Sequence, residues 1–216
     1  MKLYIRKIED YTDENTELLE EARRMRLARI KNAKVRAEYI ASGMLLREAL
    51  ADYGYPVEEK PLELVYGPEG KPELKPSESC ETEEMSQMMS SVETGVLAPC
   101  FSISHSDSIV VCVVDDEPVG VDTEKVKKVS PLLPKRVLSE EENAEYCRIL
   151  DERSPEAAYG YFTVRWTEKE SIAKLIGKGI GMDFRTIDPS EYRLHTVFRT
   201  IDGEEYVITT AQYKNV

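Results

Sequence analysis

Residues 101–124 read FSISHSDSIVVCVVDDEPVGVDTE, and this stretch decides the fold class. Residues 101–104 alternate apolar and hydroxyl side chains, the period of a half-buried strand. His105, Ser106 and Asp107 mark a turn, and Ile109-Val110-Val111-Cys112-Val113-Val114 is a continuous apolar strand. Asp115-Asp116-Glu117-Pro118 turns the chain again, so Val119-Gly120-Val121-Asp122-Thr123-Glu124 reads as the returning strand of a hairpin. On that strand Asp122 and Glu124 share one face, while Val119, Val121 and Thr123 point the other way, inward.

Helices flank this β-rich centre on both sides. Upstream, residues 2–8 predict a first strand, and Thr12 or Asp13 offers an N-cap before Leu18, Leu19, Ala22, Met25 and Leu27 at helical spacing. A second helix is predicted over 35–53, ended by Gly54 and Pro56, and a short strand over 62–66 precedes the turn at 67–72. Downstream, Ser139 with Glu142 forms a capping-box pattern, and Ser154-Pro155 opens a longer helix that stops at Gly177. Residues 192–198 and 206–210 predict strands around an Asp202-Gly203 turn. Each half thus holds helices plus strands, which predicts an α+β fold of two subdomains, 1–110 and 111–216. Residues 76–98, rich in Ser, Thr and acids, read as a flexible insertion in the first.

Composition narrows the function. The chain has 216 residues, 41% apolar and 32% charged, which is globular chemistry and excludes global disorder. No apolar run is long enough to span a bilayer, and the charged opening residues lack a signal-peptide block, so the expectation is a cytoplasmic chain with no membrane partner. Cys80, Cys100, Cys112 and Cys147 lack metal-site spacing and read as reduced thiols. A net charge of −12 argues against nucleic acid as a partner. Residues 23–36 nevertheless carry seven bases (Arg23, Arg24, Arg26, Arg29, Lys31, Lys34, Arg36) and no acid, a stretch suited to an anion.

Three features carry chemistry. Asp122 and Glu124 at strand spacing can share one cation, although a solvated edge strand also carries such pairs. Phe162, Trp166, Glu170 and Lys174 follow at i, i+4 and form a stripe that begins aromatic and ends charged, as when a helix leaves the core and enters a cleft. The plain alternative is a surface Glu170–Lys174 ion pair with Trp166 in the core. His105, between Ser104 and Ser106, sits where hydroxyls and an imidazole could meet a phosphate, or where a loop histidine is simply solvated. No nucleophile-elbow GxSxG and no P-loop order are present.

Taken in order, these segments resemble the 4′-phosphopantetheinyl transferase superfamily, specifically its surfactin-synthetase-activating type. The matches are Gly70-Lys71-Pro72 with Leu74; residues 101–106, FSISHS; residues 120–124, GVDTE; and residues 162–170, FTVRWTEKE, running on to Lys174 and Gly177-Lys178-Gly179. The first 60 residues match more loosely, the last 35 only in character. The stretch between Leu74 and Phe101 is longer than the family needs, and Thr123 stands where Ile is frequent.

The resemblance implies two similar α+β subdomains in a pseudo-twofold arrangement and a monomer. It implies Mg²⁺-dependent transfer of the phosphopantetheine arm of coenzyme A to a serine of an apo acyl, peptidyl or polyketide carrier protein, with release of 3′,5′-ADP. Such carriers serve fatty acid, nonribosomal peptide or polyketide biosynthesis. By the same likeness Asp122, Glu124 and Glu170 are the ligands of Mg²⁺, with Mn²⁺ as a substitute. Glu170, or a metal-bound water beside it, is the base, and Lys174 stabilises the departing 3′,5′-ADP. Lys71, Ser104, His105, Lys169, Arg23 and Arg26 are then the coenzyme A contacts. A noncatalytic coenzyme A or carrier-binding regulator is the alternative, but it is expected to have lost Glu170 or Lys174, and both are present.

Overall fold

The computed structural model describes residues 1–14, 16–75, 98–178 and 181–214. Nearly all of the expected 76–98 insertion lies outside the described residues. Strand β1 (Lys2–Lys7) is followed by the short helix α1 (Glu21–Leu27) and the long helix α2 (Ala33–Tyr53). Next come β2 (Leu64–Tyr66), β3 (Pro72–Leu74), β4 (Cys100–Ser106), β5 (Ile109–Asp115) and β6 (Gly120–Lys125). Helices α3 (Pro134–Val137), α4 (Glu140–Glu152) and α5 (Pro155–Ile176) precede β7 (Tyr192–Ile201) and β8 (Glu204–Tyr213). The chain is thus a mixed helix-and-sheet, α+β protein, as its patterning predicts. No helix among the described residues is long and apolar enough to cross a membrane.

Two three-stranded antiparallel sheets form, β1-β5-β4 and β6-β8-β7, with β2 and β3 as a separate hairpin. The order of elements repeats: a strand, a long helix, then a hairpin whose second strand pairs with the first strand. One face of the first sheet packs on α2 through Tyr4, Val110, Cys112 and Val114 against Leu45, Leu46 and Ala49. Its other face sends Ile109, Val111 and Val113 against Val121, Tyr206 and Ile208 of the second sheet. β5 is therefore buried on both faces, which is why its sequence is an unbroken apolar run rather than an alternation. The second sheet turns its remaining face to α5, where the Thr167, Thr209 and Thr196 hydroxyls meet at 2.9 and 3.0 Å.

The pairing of β6 differs from the expected hairpin. β5 pairs with β1 and β4, while β6 pairs with β8, matching Asp122 to Thr209 and Glu124 to Val207. The tight turn is Asp107-Ser108, because Asp107 adopts φ 55°, a left-handed conformation that Asp tolerates. His105 accordingly belongs to strand β4 and not to a loop. The change of sheet falls in the turn at residues 116–119, so a division at 110/111 would cut β5 in two.

The helix signals hold more closely. Ser139 and Glu142 form a reciprocal capping box at α4, Ser154 accepts from Ala157 N at 3.1 Å at the start of α5, and Gly177 (φ 78°) ends it. The first predicted helix starts late. Residues 16–18 form only a single 3₁₀ turn, and α1 begins at Glu21, with the Glu20 carboxylate taken by Arg23 at 2.6 Å. α1 lies close to α2 because position 43 is glycine: a Cβ there would stand 2.5 Å from Leu19 and 2.8 Å from Arg23.

Candidate active site

The site forms where α5 crosses the start of β6. A Cβ on Gly120 would lie 2.0 Å from the Ser171 carbonyl and 2.6 Å from the Leu175 nitrogen, so this glycine lets the helix backbone rest on the strand. That contact sets Glu170 and Lys174, one turn apart on α5, beside Asp122 and Glu124 on β6. The opposite face of β6 is inward as expected, with Val119, Val121 and Thr123 buried.

Asp122 is 5% exposed and doubly engaged through one oxygen: Oδ1 accepts from Lys174 Nζ at 2.7 Å and from Ser104 Oγ at 2.8 Å. Lys174 also donates to Ser104 Oγ at 2.8 Å, closing a three-membered cluster. The ion pair of Lys174 is therefore made with Asp122 across the domain and not with Glu170 along the helix. Glu124 accepts from Ser106 Oγ at 2.9 Å, and the Trp166 indole approaches the same carboxylate. Burial, and then the Asp122 carboxylate, raise the Glu124 pKa above the ordinary range. The same two causes push Glu170 up to about 7, with Glu124 adding to them and Lys174 opposing.

Three carboxylates gathered with one lysine leave an excess of negative charge, the chemistry that suits a hard cation. Asp122 Oδ2 is buried without a hydrogen-bond partner, an unmet acceptor on a carboxylate of this cluster. The side chains do not close into a preformed cage, since no group of three metal-ligating residues is drawn tight enough for one among the described residues.

A cleft of about 330 Å³ adjoins the cluster, and its walls include Arg23, Tyr39, Lys71, His105 and Lys174. Four separate elements or loops thus bring four cationic or titratable nitrogen side chains to one space. Arg23 is held in place by Glu20, by the Tyr39 carbonyl at 3.0 Å and by the Tyr39 ring at 4.8 Å. Lys71 reaches from the turn before β3 to the Leu175 carbonyl at 3.0 Å, tying that turn to the last turn of α5. Burial lowers the pKa values of both Lys71 and His105, with Glu38, 4.0 Å from His105 Nδ1, acting against burial.

Two expected coenzyme A contacts lie elsewhere. Lys169 is 0% exposed and spends its ammonium on Glu142 at 2.6 Å and on the Val137 and Phe184 carbonyls at 3.1 and 2.9 Å. One residue along a helix is a rotation of about 100°, so Lys169 faces α3 and α4 while Glu170 faces the strand. It is a structural lysine. Arg26 is exposed and donates to the Tyr39 hydroxyl at 3.1 Å, outside the cleft walls. Sequence reasoning missed Ser102 and Ser106, whose side chains share the β6-facing side of β4 with Ser104. Their signal was the Ser-x-Ser-x-Ser spacing itself, which on a strand puts three hydroxyls on one face.

Part of the chain is similar to known proteins. A model of the 4′-phosphopantetheinyl transferase superfamily matches residues 118–213, the segment that holds Asp122, Glu124, Glu170 and Lys174. The 4′-phosphopantetheinyl transferase Sfp of Bacillus subtilis (strain 168) is 38% identical over 95 residues, 44% of this chain and 39% of the relative. A second 4′-phosphopantetheinyl transferase of Bacillus subtilis is 35% identical over 109 residues, covering 49% and 46%. The 4′-phosphopantetheinyl transferase gsp of Aneurinibacillus migulanus is 35% identical over 80 residues, covering 37% and 32%. The chain thus spans less than half the length of the curated relatives it matches. By that match, residues 118–213 of this chain are similar to the 4′-phosphopantetheinyl transferase superfamily.

Proposed function

We propose that this protein transfers the 4′-phosphopantetheine arm of coenzyme A to a serine of an apo carrier protein, releasing 3′,5′-ADP. The observation that supports it best is the meeting of Asp122 and Glu124 on β6 with Glu170 and Lys174 on α5, beside a cleft lined by Arg23, Lys71 and His105. A coenzyme A molecule carries a 3′-phosphate and a pyrophosphate, and these two anionic groups suit the two ends of that space. Lys71, His105 and Arg23 would take the 3′-phosphate. Lys174, already shared between Asp122 and Ser104, would turn toward the pyrophosphate and offset charge on the departing 3′,5′-ADP.

Asp122, through its unpartnered Oδ2, with Glu124 and Glu170 would hold Mg²⁺. When bound, Mg²⁺ supplies charge neutralisation at the pyrophosphate oxygens. Glu170, or a water beside it, would accept the proton of the carrier serine. Positioning then carries most of the rate, since phosphoryl transfer asks little covalent work of the protein.

We further propose that the two strand–helix–hairpin units are subdomains related by a pseudo-twofold axis, divided at residues 116–119, in a cytoplasmic monomer. The carrier is of the acyl, peptidyl or polyketide class. Release of 3′,5′-ADP from coenzyme A, followed by chromatography, tests the reaction: release is expected only with an apo carrier and Mg²⁺ present. Release without a carrier would mean hydrolysis. Coenzyme A binding with no release on any carrier would favour the regulatory alternative.

A further inference from the structure

The two sheets meet along β4 and β6, strands that share no main-chain ladder. Serine hydroxyls stand in for that ladder. Ser102 Oγ accepts from Val121 N at 3.1 Å, Ser104 donates to Asp122, and Ser106 both accepts from Lys125 N at 3.2 Å and donates to Glu124 at 2.9 Å. A hydroxyl has a single hydrogen. Because the Ser106 oxygen is committed as acceptor to the Lys125 N–H, its hydrogen is directed at the Glu124 carboxylate. The Trp166 indole on α5 approaches the same carboxylate, so Glu124 sits between a strand of one sheet and the helix packed on the other.

We propose that Ser106 is a positioning residue that fixes Glu124 for cation binding and so links the cation site to the register between the two sheets. This rests on the reading of Asp122, Glu124 and Glu170 as cation ligands. Ser106 touches no reacting atom; it acts through Glu124. Ser102, two residues away on the same face, holds only a main-chain N–H and serves as the internal comparison. Groups that orient a ligand in this way are commonly worth about 10–100-fold in metal affinity.

The test is titration of the full chain with Mn²⁺, reading free Mn²⁺ by electron paramagnetic resonance without coenzyme A or carrier. The proteins compared are wild type, Ser106→Ala, Ser106→Thr, Ser102→Ala and Glu124→Gln. We expect Ser106→Ala to weaken Mn²⁺ about tenfold, Ser106→Thr to restore it, and Ser102→Ala to keep wild-type affinity while lowering Tm. In turnover, Ser106→Ala should raise the Mg²⁺ concentration giving half-maximal rate and leave kcat at saturating Mg²⁺ close to wild type. Wild-type Mn²⁺ affinity in Ser106→Ala, alongside weakened binding in Glu124→Gln, would overturn the role of Ser106 and leave the ligand reading standing. Equal losses in Ser106→Ala and Ser102→Ala would reduce the seam to scaffolding and overturn it likewise. Mn²⁺ binding that ignores Glu124→Gln would overturn the ligand reading itself.

Discussion

Replacing Glu170 by Gln should stabilise the folded protein at alkaline pH while abolishing the proposed transfer. Burial and the neighbouring carboxylates raise this group from 4.5 to about 7, so the folded state holds its proton more tightly than the unfolded state does. A raised carboxylate imposes no penalty below the unfolded pKa. The penalty then grows as pH rises from about 4.5 and is complete above about 7. At about 1.4 kcal/mol per pH unit, the gap between 4.5 and about 7 is worth about 3 kcal/mol, which the solvent that still reaches the side chain reduces to about 1–2 kcal/mol. Glutamine removes the charge and keeps the shape. Urea denaturation of both proteins in EDTA, at pH 5 and pH 8, isolates the effect because every other group titrates in both. We expect near-equal stability at pH 5 and a variant more stable by about 1–2 kcal/mol at pH 8. Equal differences at the two pH values, or a less stable variant at pH 8, would refute the crowding of carboxylates at this site.

Gly120→Ala places a methyl group 2.0 Å from the Ser171 carbonyl, so α5 must move off β6; a loss of about 3 kcal/mol is expected in urea melts, and wild-type stability would contradict the close approach. Lys169→Met strands the Glu142 carboxylate that Lys169 neutralises and should cost about 3 kcal/mol or more, partly recovered by adding Glu142→Gln, with coenzyme A affinity of the folded fraction unchanged; lost affinity at unchanged stability would return Lys169 to the binding site. Arg24, Arg29 and Lys31 are exposed bases of the 23–36 stretch, whereas the likewise exposed Arg26 bonds the Tyr39 hydroxyl, Lys34 is paired with Asp107 and Arg36 with Asp13. If the acidic face of a carrier docks there, reversing those three charges should weaken carrier affinity at low salt and spare coenzyme A; equal weakening of both, or neither, would remove this surface from docking.

Local chemistry was the legible part of the sequence. Ser139 with Glu142, Ser154-Pro155 and Gly177 act within a turn of their own position, and each bounds the helix it announces. The alternation around Asp122 and Glu124 likewise placed both carboxylates on one face of β6, because a strand alternates whatever it pairs with. The partner of that strand was not legible. An Asp in a left-handed turn conformation at 107 made the β4–β5 hairpin, and this freed β6 to join a strand more than 80 residues later. Lys174 shows the same limit. Its spacing from Glu170 announced a local ion pair, but Asp122 on the adjoining strand lies closer and buried, and wins. Lys169 and Glu170 were adjacent letters in one motif, and helix geometry sent them to opposite sides. The cleft itself belongs wholly to tertiary structure, since Arg23, Lys71, His105 and Lys174 come from four distant segments.

The central claim is that this chain loads carriers with the arm of coenzyme A, and intact mass spectrometry of the carrier measures it directly. A panel of apo acyl, peptidyl and polyketide carriers would be incubated with the full chain, coenzyme A and Mg²⁺, with an EDTA control and the Glu170→Gln variant in parallel. We expect at least one carrier to gain the mass of a single phosphopantetheine, with no gain in EDTA or with the variant. An unchanged mass across the panel, with coenzyme A bound and the protein folded, would contradict the assignment of transferase activity.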